Sequence, residues 1–267
     1  MGIADASPFV LTTMPDFMIN ITRRVSPILA LLILGLSSVC PRAAQAESLP
    51  DRRPAMLGFG PGSLVNQINV QELMQKGQRD AWVMFQCAVA DDGVVYGSDF
   101  FTASPDSRLL KEEVRRRLRQ TRFIPAVYNH RRVAAWFAGT AVFVVANGRP
   151  LLRIYANQDL DEIRRGADFV APQYIAVPHH YVLNFPKMPA VTKRHDAAGS
   201  VKLRHTVDAN GKTIDVQVIS EHPPGYEFGS YTSKVVPLLD FLPGYRNGKP
   251  VTSSYTLTWW FGRPVNW

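Results

Sequence analysis

The sequence has little cysteine, which restricts the covalent chemistry available to the protein. It contains two cysteines in 267 residues, and Cys40 lies in a segment that we expect to be removed, so we predict no intramolecular disulfide. The remaining cysteine, Cys87, would be an odd thiol in a secreted protein, and such thiols are sometimes reactive or intermolecular. However, Cys87 alternates in phase with Val83, Phe85 and Val89. We therefore expect it on the buried face of a strand, where a thiol behaves as a small hydrophobic group.

Long hydrophobic runs are also missing. The most apolar stretch, residues 28–40, has 13 residues, whereas a membrane-spanning helix needs about 20. This stretch follows Arg23 and Arg24 and precedes the small-x-small sequence Ala44-Gln45-Ala46. A basic segment, an apolar segment and a small-residue cleavage site in this order are typical of a secretory signal peptide. We predict cleavage after Ala46 and a periplasmic mature protein.

Three alternatives to this interpretation of the N-terminus remain open. The apolar stretch could stay uncleaved as an inner-membrane anchor, which would be the only contact of the protein with a membrane. Cys40 could be lipidated, although Ser37-Ser38-Val39 lacks the residues usually found before a lipidated cysteine. Translation could also start at Met18, which gives a more regular signal peptide.

Motifs for catalysis are absent from the sequence. No Gly-x-Ser-x-Gly, P-loop or dinucleotide-binding fingerprint occurs. The six histidines match no metal-ligand spacing: His130, His179, His180, His195, His205 and His222. We therefore expect no enzyme activity, no catalytic, metal or cofactor site, and no bound cofactor. A metal-dependent periplasmic enzyme is the alternative from another class of protein.

The charge is moderately basic, at +8 for the whole chain. We expect no nucleic-acid partner, because an exported protein rarely meets DNA. The densest cluster is Arg115, Arg116, Arg117, Arg119 and Arg122, on a predicted helix whose apolar stripe is Leu110, Val114 and Leu118. This cluster is either a solvated face or a surface that docks acidic protein or anionic lipid.

An internal repeat is the strongest pattern in the sequence. Shifting the chain by 118 residues superposes similar residues without a gap. Identical pairs include Val83 with Val201, Val89 with Val207, Gly93 with Gly211, Pro105 with Pro223, Phe123 with Phe241, Pro125 with Pro243, Asn129 with Asn247, Val133 with Val251, Thr140 with Thr258 and Phe143 with Phe261. The absence of insertions and the concentration on Gly, Pro and strand positions indicate a duplicated unit.

Each copy predicts the same order of elements. An alternating strand, a turn at Gly93 or Gly211 and a second strand form a hairpin. An amphipathic helix and a final strand follow, so the unit is ββαβ and the fold class is α+β, with a small antiparallel sheet packed with a helix in each module. His205 takes the position of Cys87, and we expect it to be hydrogen-bonded and partly buried. In the last strand, Trp259 and Trp260 lie on opposite faces. This pattern indicates either contact with a partner surface or packing against the other repeat or the connector.

The second copy resembles the C-terminal domain of TonB/TolA-type periplasmic proteins. The resemblance rests on an opening aromatic-Pro pair, a Gly-x-Val strand start, a Val-Asp-x-x-Gly turn, a Phe-x-Pro segment and a Gly-Lys-Pro-Val turn. Here these are Phe185-Pro186, Gly199-Ser200-Val201, Val207-Asp208-Ala209-Asn210-Gly211, Phe241-Leu242-Pro243 and Gly248-Lys249-Pro250-Val251. The first copy is similar but more diverged.

This resemblance implies a protein-interaction domain whose edge strand pairs with an extended peptide of an outer-membrane receptor or another periplasmic protein. A homodimer is a further arrangement that such an edge allows. The alternative within the family is a membrane-anchored energy transducer for outer-membrane transport, but the long Pro-rich spacer of transducers is missing. The candidate partner-binding residues are Tyr255, Thr256, Leu257, Thr258, Trp259, Trp260, Arg115, Arg116 and Arg119.

These interpretations divide the chain into six parts. They are a signal peptide (1–46), an N-terminal segment (47–80), a first TonB-C-like domain (81–146), a connector (147–184), a second such domain (185–262) and a tail (263–267).

Overall fold

The computed structural model describes residues 48–166, 168–176 and 198–261. In the first part of the chain its elements are β1 (Arg52–Arg53), α1 (Leu64–Gln67), α2 (Val70–Gln75), β2 (Ala81–Val89), β3 (Val95–Ala103), α3 (Arg108–Leu118), β4 (Ala126–Tyr128), β5 (Arg131–Val133), β6 (Ala135–Ala146) and β7 (Arg149–Tyr155). They continue with α4 (Leu160–Arg165), β8 (Phe169–Val170), β9 (Gln173–Tyr174), β10 (Gly199–Val207), β11 (Thr213–His222), α5 (Phe228–Val235), β12 (Phe241–Leu242), β13 (Gly244–Arg246), β14 (Lys249–Val251) and β15 (Ser253–Phe261).

Several sequence predictions lie outside the described residues. They are the signal peptide and its cleavage site, the Phe185-Pro186 pair, the histidines at positions 179, 180 and 195, and the C-terminal tail. The mixed helices and antiparallel sheets of the described part confirm the α+β class.

The first module, residues 81–146, is built on an antiparallel sheet. Its strand order is β3-β2-β6-β7. Alternate residues of β2, namely Val83, Phe85 and Cys87, are fully buried, because successive side chains of a strand point to opposite faces. Helix α3 packs against this face through Leu110 and Val114, which are also fully buried. The predicted burial of Cys87 is thereby confirmed, and this burial raises the pKa of its thiol.

The second module, described over residues 199–261, has a three-stranded sheet in the order β11-β10-β15. Its core contains Val201, Leu203 and His205 from β10 together with Phe228 from α5. Helix α5 ends at Val235 and continues as a 3-10 turn that contains Pro237, as expected for a residue without a backbone donor.

The two modules correspond in detail at the offset of 118 residues. Strands β2 and β10, β4 and β13, and β5 and β14 each match in both bounds. The strand register also matches, since Val83 pairs with Ala141 and Val201 pairs with Trp259. Both hairpins carry register shifts at the same two places, next to Phe85 and Val89 in one and next to Leu203 and Val207 in the other.

A glycine in each hairpin turn explains one of the shared positions. Gly93 has φ +86° and Gly211 has φ +82°, a conformation that side chains disfavour. A Cβ on Gly93 would lie 2.2 Å from the backbone oxygen of Phe123, and a Cβ on Gly211 would lie 2.2 Å from that of Phe241. In each module the shared spacing of Gly and Phe therefore reflects one close contact, between the glycine Cα and the backbone oxygen of the phenylalanine.

Each module also binds a short extended segment that precedes it in the chain. The first strap, residues 52–56, pairs with β4 and bridges to Ile124. The second strap, residues 169–175, pairs with β13 and β12. The pairs Arg52–Tyr128 and Phe169–Arg246 are equivalent in register. Each pair places a guanidinium over an aromatic ring, with Arg52 5.5 Å from the Tyr128 ring centroid and Arg246 5.0 Å from that of Phe169. The arginine belongs to the strap in the first pair and to β13 in the second.

Gln173 ties the two straps together. Its side chain is 1% exposed. The side-chain oxygen accepts a hydrogen bond from the Ala55 N–H (2.7 Å), and the side-chain nitrogen donates to the Ala55 carbonyl oxygen (2.8 Å). Ile175 and Leu242 extend this contact into the core of the first module. The two modules therefore share buried surface at the straps.

The segments at the two ends of the first module are more structured than the sequence analysis indicated. The N-terminal segment contains α1 and α2, which add Leu64 and Leu73 to the first core. The connector contains β7, which continues the first sheet, as well as the second strap. Of the connector's elements, only α4 was predicted, near residues 159–165. In the structure Asp159 is its N-cap, and the Asp159 side chain accepts hydrogen bonds from the Asp161 and Glu162 N–H groups. Short strands and helices have weak sequence periodicity, and their partners are distant in sequence.

Candidate protein-binding edge

The six apolar and polar residues predicted for partner binding in the last strand all lie on β15. Tyr255, Leu257 and Trp259 pair with His205, Leu203 and Val201 of β10. The intervening residues Thr256, Thr258 and Trp260 lie on the other face of the strand. All six are exposed or half-buried, so β15 is accessible along most of its length.

Backbone direction shows which groups of β15 face outward. The Asp208 N–H donates to the Lys212 carbonyl in the hairpin (2.8 Å), so even-numbered residues of β10 hydrogen-bond toward β11. Odd-numbered residues of β10 then bond toward β15, because peptide groups alternate in direction along a strand. It follows that Thr256, Thr258 and Trp260 direct their own N–H and C=O groups away from β10.

No strand within the described ranges pairs with this outer edge of β15. The equivalent edge in the first module is occupied. There β7 pairs with Thr140–Ala146 of β6, with Thr140 opposite Tyr155 and Val142 opposite Arg153. Thr140 is the repeat equivalent of Thr258 and Val142 that of Trp260. The chain's own β7 thus illustrates an antiparallel strand added to this position of the module.

A cavity of about 300 Å³ runs along the same edge. Residues from both faces of β15 line it, including Leu257 and Trp259 on one face and Thr258 on the other, as happens where a cavity follows a strand edge. The opposite wall comes from the first module, where Trp136 and Ala138 lie on the face of β6 turned away from α3. Both modules therefore contribute to the surroundings of the open edge.

Comparison with known families identifies the second module. Residues 185–262 match the family model of the Gram-negative bacterial TonB protein C-terminal domain. This part of the chain is a TonB C-terminal domain. The match confirms the resemblance noted from the sequence motifs. A search of curated proteins gives no match for the chain.

A TonB C-terminal domain is a protein-interaction domain and not a member of an enzyme family. Its presence implies a protein partner and a location in the bacterial envelope. No helix in the described part of the chain is long and apolar enough to cross a membrane.

The TonB C-terminal domain carries a polar pair beneath β15, formed by the buried His205 and the half-buried Tyr255. His205 is fully buried, more than the partial burial expected from the sequence. Its Nε2 lies 2.8 Å from the Thr213 hydroxyl and its Nδ1 lies 3.4 Å from the Tyr255 hydroxyl. Burial lowers the pKa of His205 to about 4 and raises the pKa of Tyr255. Both groups are neutral at pH 7, and they link β10, β11 and β15 without adding charge to the edge.

The predicted arginines lie far from this edge in the fold. Arg115 and Arg116 are on α3 and Arg119 is its C-cap. This helix covers the face of the first sheet opposite to the cavity. Arg116 pairs with Glu113, and the Arg115 guanidinium stacks 4.7 Å from the Phe100 ring centroid. Burial opposes ionisation of Glu113, but its hydrogen bonds from Arg117 and Arg116 outweigh this effect and lower the pKa of the carboxyl. Arg119 is exposed. The structure therefore does not bring the arginines and β15 into one site.

Metal-ligating side chains are dispersed in the part of the chain that the structure describes. No group of three His, Cys, Asp or Glu residues there is arranged to hold a metal ion. His130 is exposed, and its Nδ1 lies 2.9 Å from the Leu49 carbonyl oxygen.

The wall that the first module contributes to the cavity was not predicted from the sequence. Trp136 and Asp99 line it, but they are separated from β15 by more than a hundred residues in sequence. The sequence feature that could have indicated this role is the position of Trp136 on the outward face of β6, where a large aromatic side chain needs a surface to pack against. Its role depends on how the modules pack together, which the sequence pattern does not reveal.

Proposed function

We propose that this protein is a periplasmic adaptor that binds an extended segment of a partner protein along the outer edge of β15. The observation that carries this proposal is the outer edge of β15, with which no strand of residues 48–166, 168–176 and 198–261 pairs, whereas β7 pairs with the equivalent edge of the first module. Backbone hydrogen bonds from Thr256 and Thr258 would provide affinity, and the side chains around the edge would provide specificity. The partner is an outer-membrane or periplasmic protein.

We also infer that residues 81–146 are a diverged copy of the same domain. The matching strand bounds, the shared register shifts and the exchanged cation–aromatic pair support this duplication. In this interpretation the first copy no longer offers its edge to a partner, because β7 covers it. One copy then serves as a scaffold and the other binds.

The proposed adaptor acts after export, with residues 1–46 removed as a signal peptide. N-terminal sequencing of the protein purified from the cell envelope tests this point, and we expect a mature chain that starts at Glu47. Retention of residues 28–40 in an inner-membrane fraction would instead support the anchored transducer.

Site-specific photo-crosslinking in cells tests edge pairing directly. A photoreactive amino acid at position 256, which is exposed on β15, should form a defined adduct with one envelope protein. Thr258→Pro should abolish the adduct, because it removes an outward N–H from the edge.

The control is Val218→Pro, which places a proline at an exposed position of β11, the other edge strand of the same sheet. Val218 is opposite Leu203 and directs its N–H away from β10, so this variant should retain the adduct. Loss of the adduct in both variants, or in neither, would contradict pairing at β15.

A further inference from the structure

The cavity along β15 has one charged group in a largely aromatic surrounding. Among the described residues that line it, only Asp99 is charged, and the lining includes Trp136, Tyr255 and Trp259. Asp99 lies on β3 opposite Gln86 of β2, and it is half-buried. Its carboxylate makes no hydrogen bond or ion pair with the described parts of the chain.

The Asp99 carboxylate lacks an oppositely charged partner among the described residues. A partly buried charge without a partner costs free energy that an opposite charge would recover. The neighbouring tryptophan and tyrosine rings also favour a cation over their faces. A positively charged group is therefore the ligand that the cavity complements best, and a carboxylate or phosphate ligand would be repelled.

The cavity is continuous with the open strand edge. Thr258, whose N–H and C=O groups face outward, lines it together with Asp99. A strand that pairs with this edge would place alternate side chains on the side of the first module. One of these side chains would then enter the cavity between Trp136 and Trp259.

We propose that the cavity binds a lysine or arginine side chain of the partner segment, with Asp99 as its counter-ion. This inference rests on the edge pairing of the proposed function and adds the chemical class of the recognised residue. It also gives the first module a role in selecting the partner, because Asp99 and Trp136 both belong to it.

Selection from a random nine-residue peptide library displayed on phage tests the proposal without knowledge of the natural partner. The full mature protein should enrich peptides that share a basic residue at one position. The best enriched peptide should bind Asp99→Asn about tenfold more weakly than the wild type, because a charge-assisted contact is lost. Asp215→Asn, which removes an exposed carboxylate of β11, is the matched control and should bind as the wild type does.

Changing the peptide instead of the protein tests the same contact on the wild-type fold, so that misfolding of a variant cannot explain the result. Replacing its basic residue by norleucine should weaken binding to the wild type about tenfold, and the wild type and Asp99→Asn should then bind equally. Thr258→Pro should bind neither peptide. If the enriched peptides lack a shared basic residue, or if Asp99→Asn binds as the wild type does, the inference fails while edge pairing stands. If no peptide is enriched over Thr258→Pro, edge pairing fails and the inference fails with it.

Discussion

At the residue scale, Gly211 shows how one atom can control the hairpin of the TonB C-terminal domain. It has φ +82°, and an added Cβ would lie 2.2 Å from the Phe241 backbone oxygen. We expect Gly211→Ala to lower the free energy of unfolding by about 3 kcal/mol, measured by urea titration. Gly248→Ala is the control, since its φ is +71° but nothing lies within 4 Å of the added atom. It should cost about 1 kcal/mol, and equal losses would exclude the close contact as the cause.

His205 makes the stability of the same domain depend on pH. Burial lowers its pKa from 6.5 to about 4, so between these values the unfolded chain binds more protons than the folded one. The free energy of unfolding should therefore fall as the pH drops from 6.5 to 4, by up to about 3 kcal/mol, and should be insensitive to His205 above this window.

His205→Cys tests this dependence with the residue that the first module uses at the equivalent position. Urea titrations at several pH values between 4 and 7.5 should show a shallower pH dependence in this variant. His130→Gln is the control, because the His130 side chain is 68% exposed, and its profile should match the wild type. An unchanged profile in His205→Cys would assign the acid sensitivity to other groups.

At the element scale, proline should destabilise the fold much more in β7 than in β15. Arg153 is opposite Val142 of β6 and directs its N–H toward that strand, so Arg153→Pro breaks a hydrogen bond of the sheet. We expect it to lower the free energy of unfolding by about 3 kcal/mol. Thr258→Pro should cost less than about 1 kcal/mol, because its N–H faces away from the sheet. A similar loss in both variants, measured by urea titration, would mean that the β15 edge is already paired.

The elements that could be predicted from the sequence are those with long periodic patterns. The alternation of Val83, Phe85 and Cys87 and the helical spacing of Leu110 and Val114 each report a buried face directly. Strand β7 was missed although it has seven residues, because it follows β6 after a short turn at Gly148 and was interpreted as connector. The straps were missed because two-residue strands carry no periodicity of their own.

At the scale of the whole molecule, Gln173 should couple the stabilities of the two modules. Its side chain satisfies both backbone groups of Ala55 in a buried position. Gln173→Ala leaves two buried polar groups without partners, and we expect the free energy of unfolding to fall by about 2–4 kcal/mol. Gln158→Ala is the control, since its partly buried amide donates a single bond, to the Phe85 carbonyl, and it should cost about 1 kcal/mol.

The number of unfolding transitions provides a second test of the role of Gln173. With the straps joined, we expect the wild type to unfold in one transition, followed by both tryptophan fluorescence and circular dichroism. In Gln173→Ala the two signals should separate. Coincident signals and an unchanged midpoint in this variant would show that the modules are coupled by other contacts.

The sequence by itself determined the α+β class and the family of the second module, because glycine turns, strand alternation and the Phe-x-Pro segment are local features. Only the tertiary structure showed that β7 pairs with the edge of β6 while no strand of the described ranges pairs with the equivalent edge of β15, because β7 pairs through backbone groups that no side-chain pattern encodes. It likewise brought Asp99 and Trp136 to β15, since contacts between distant segments depend on how the two modules pack together.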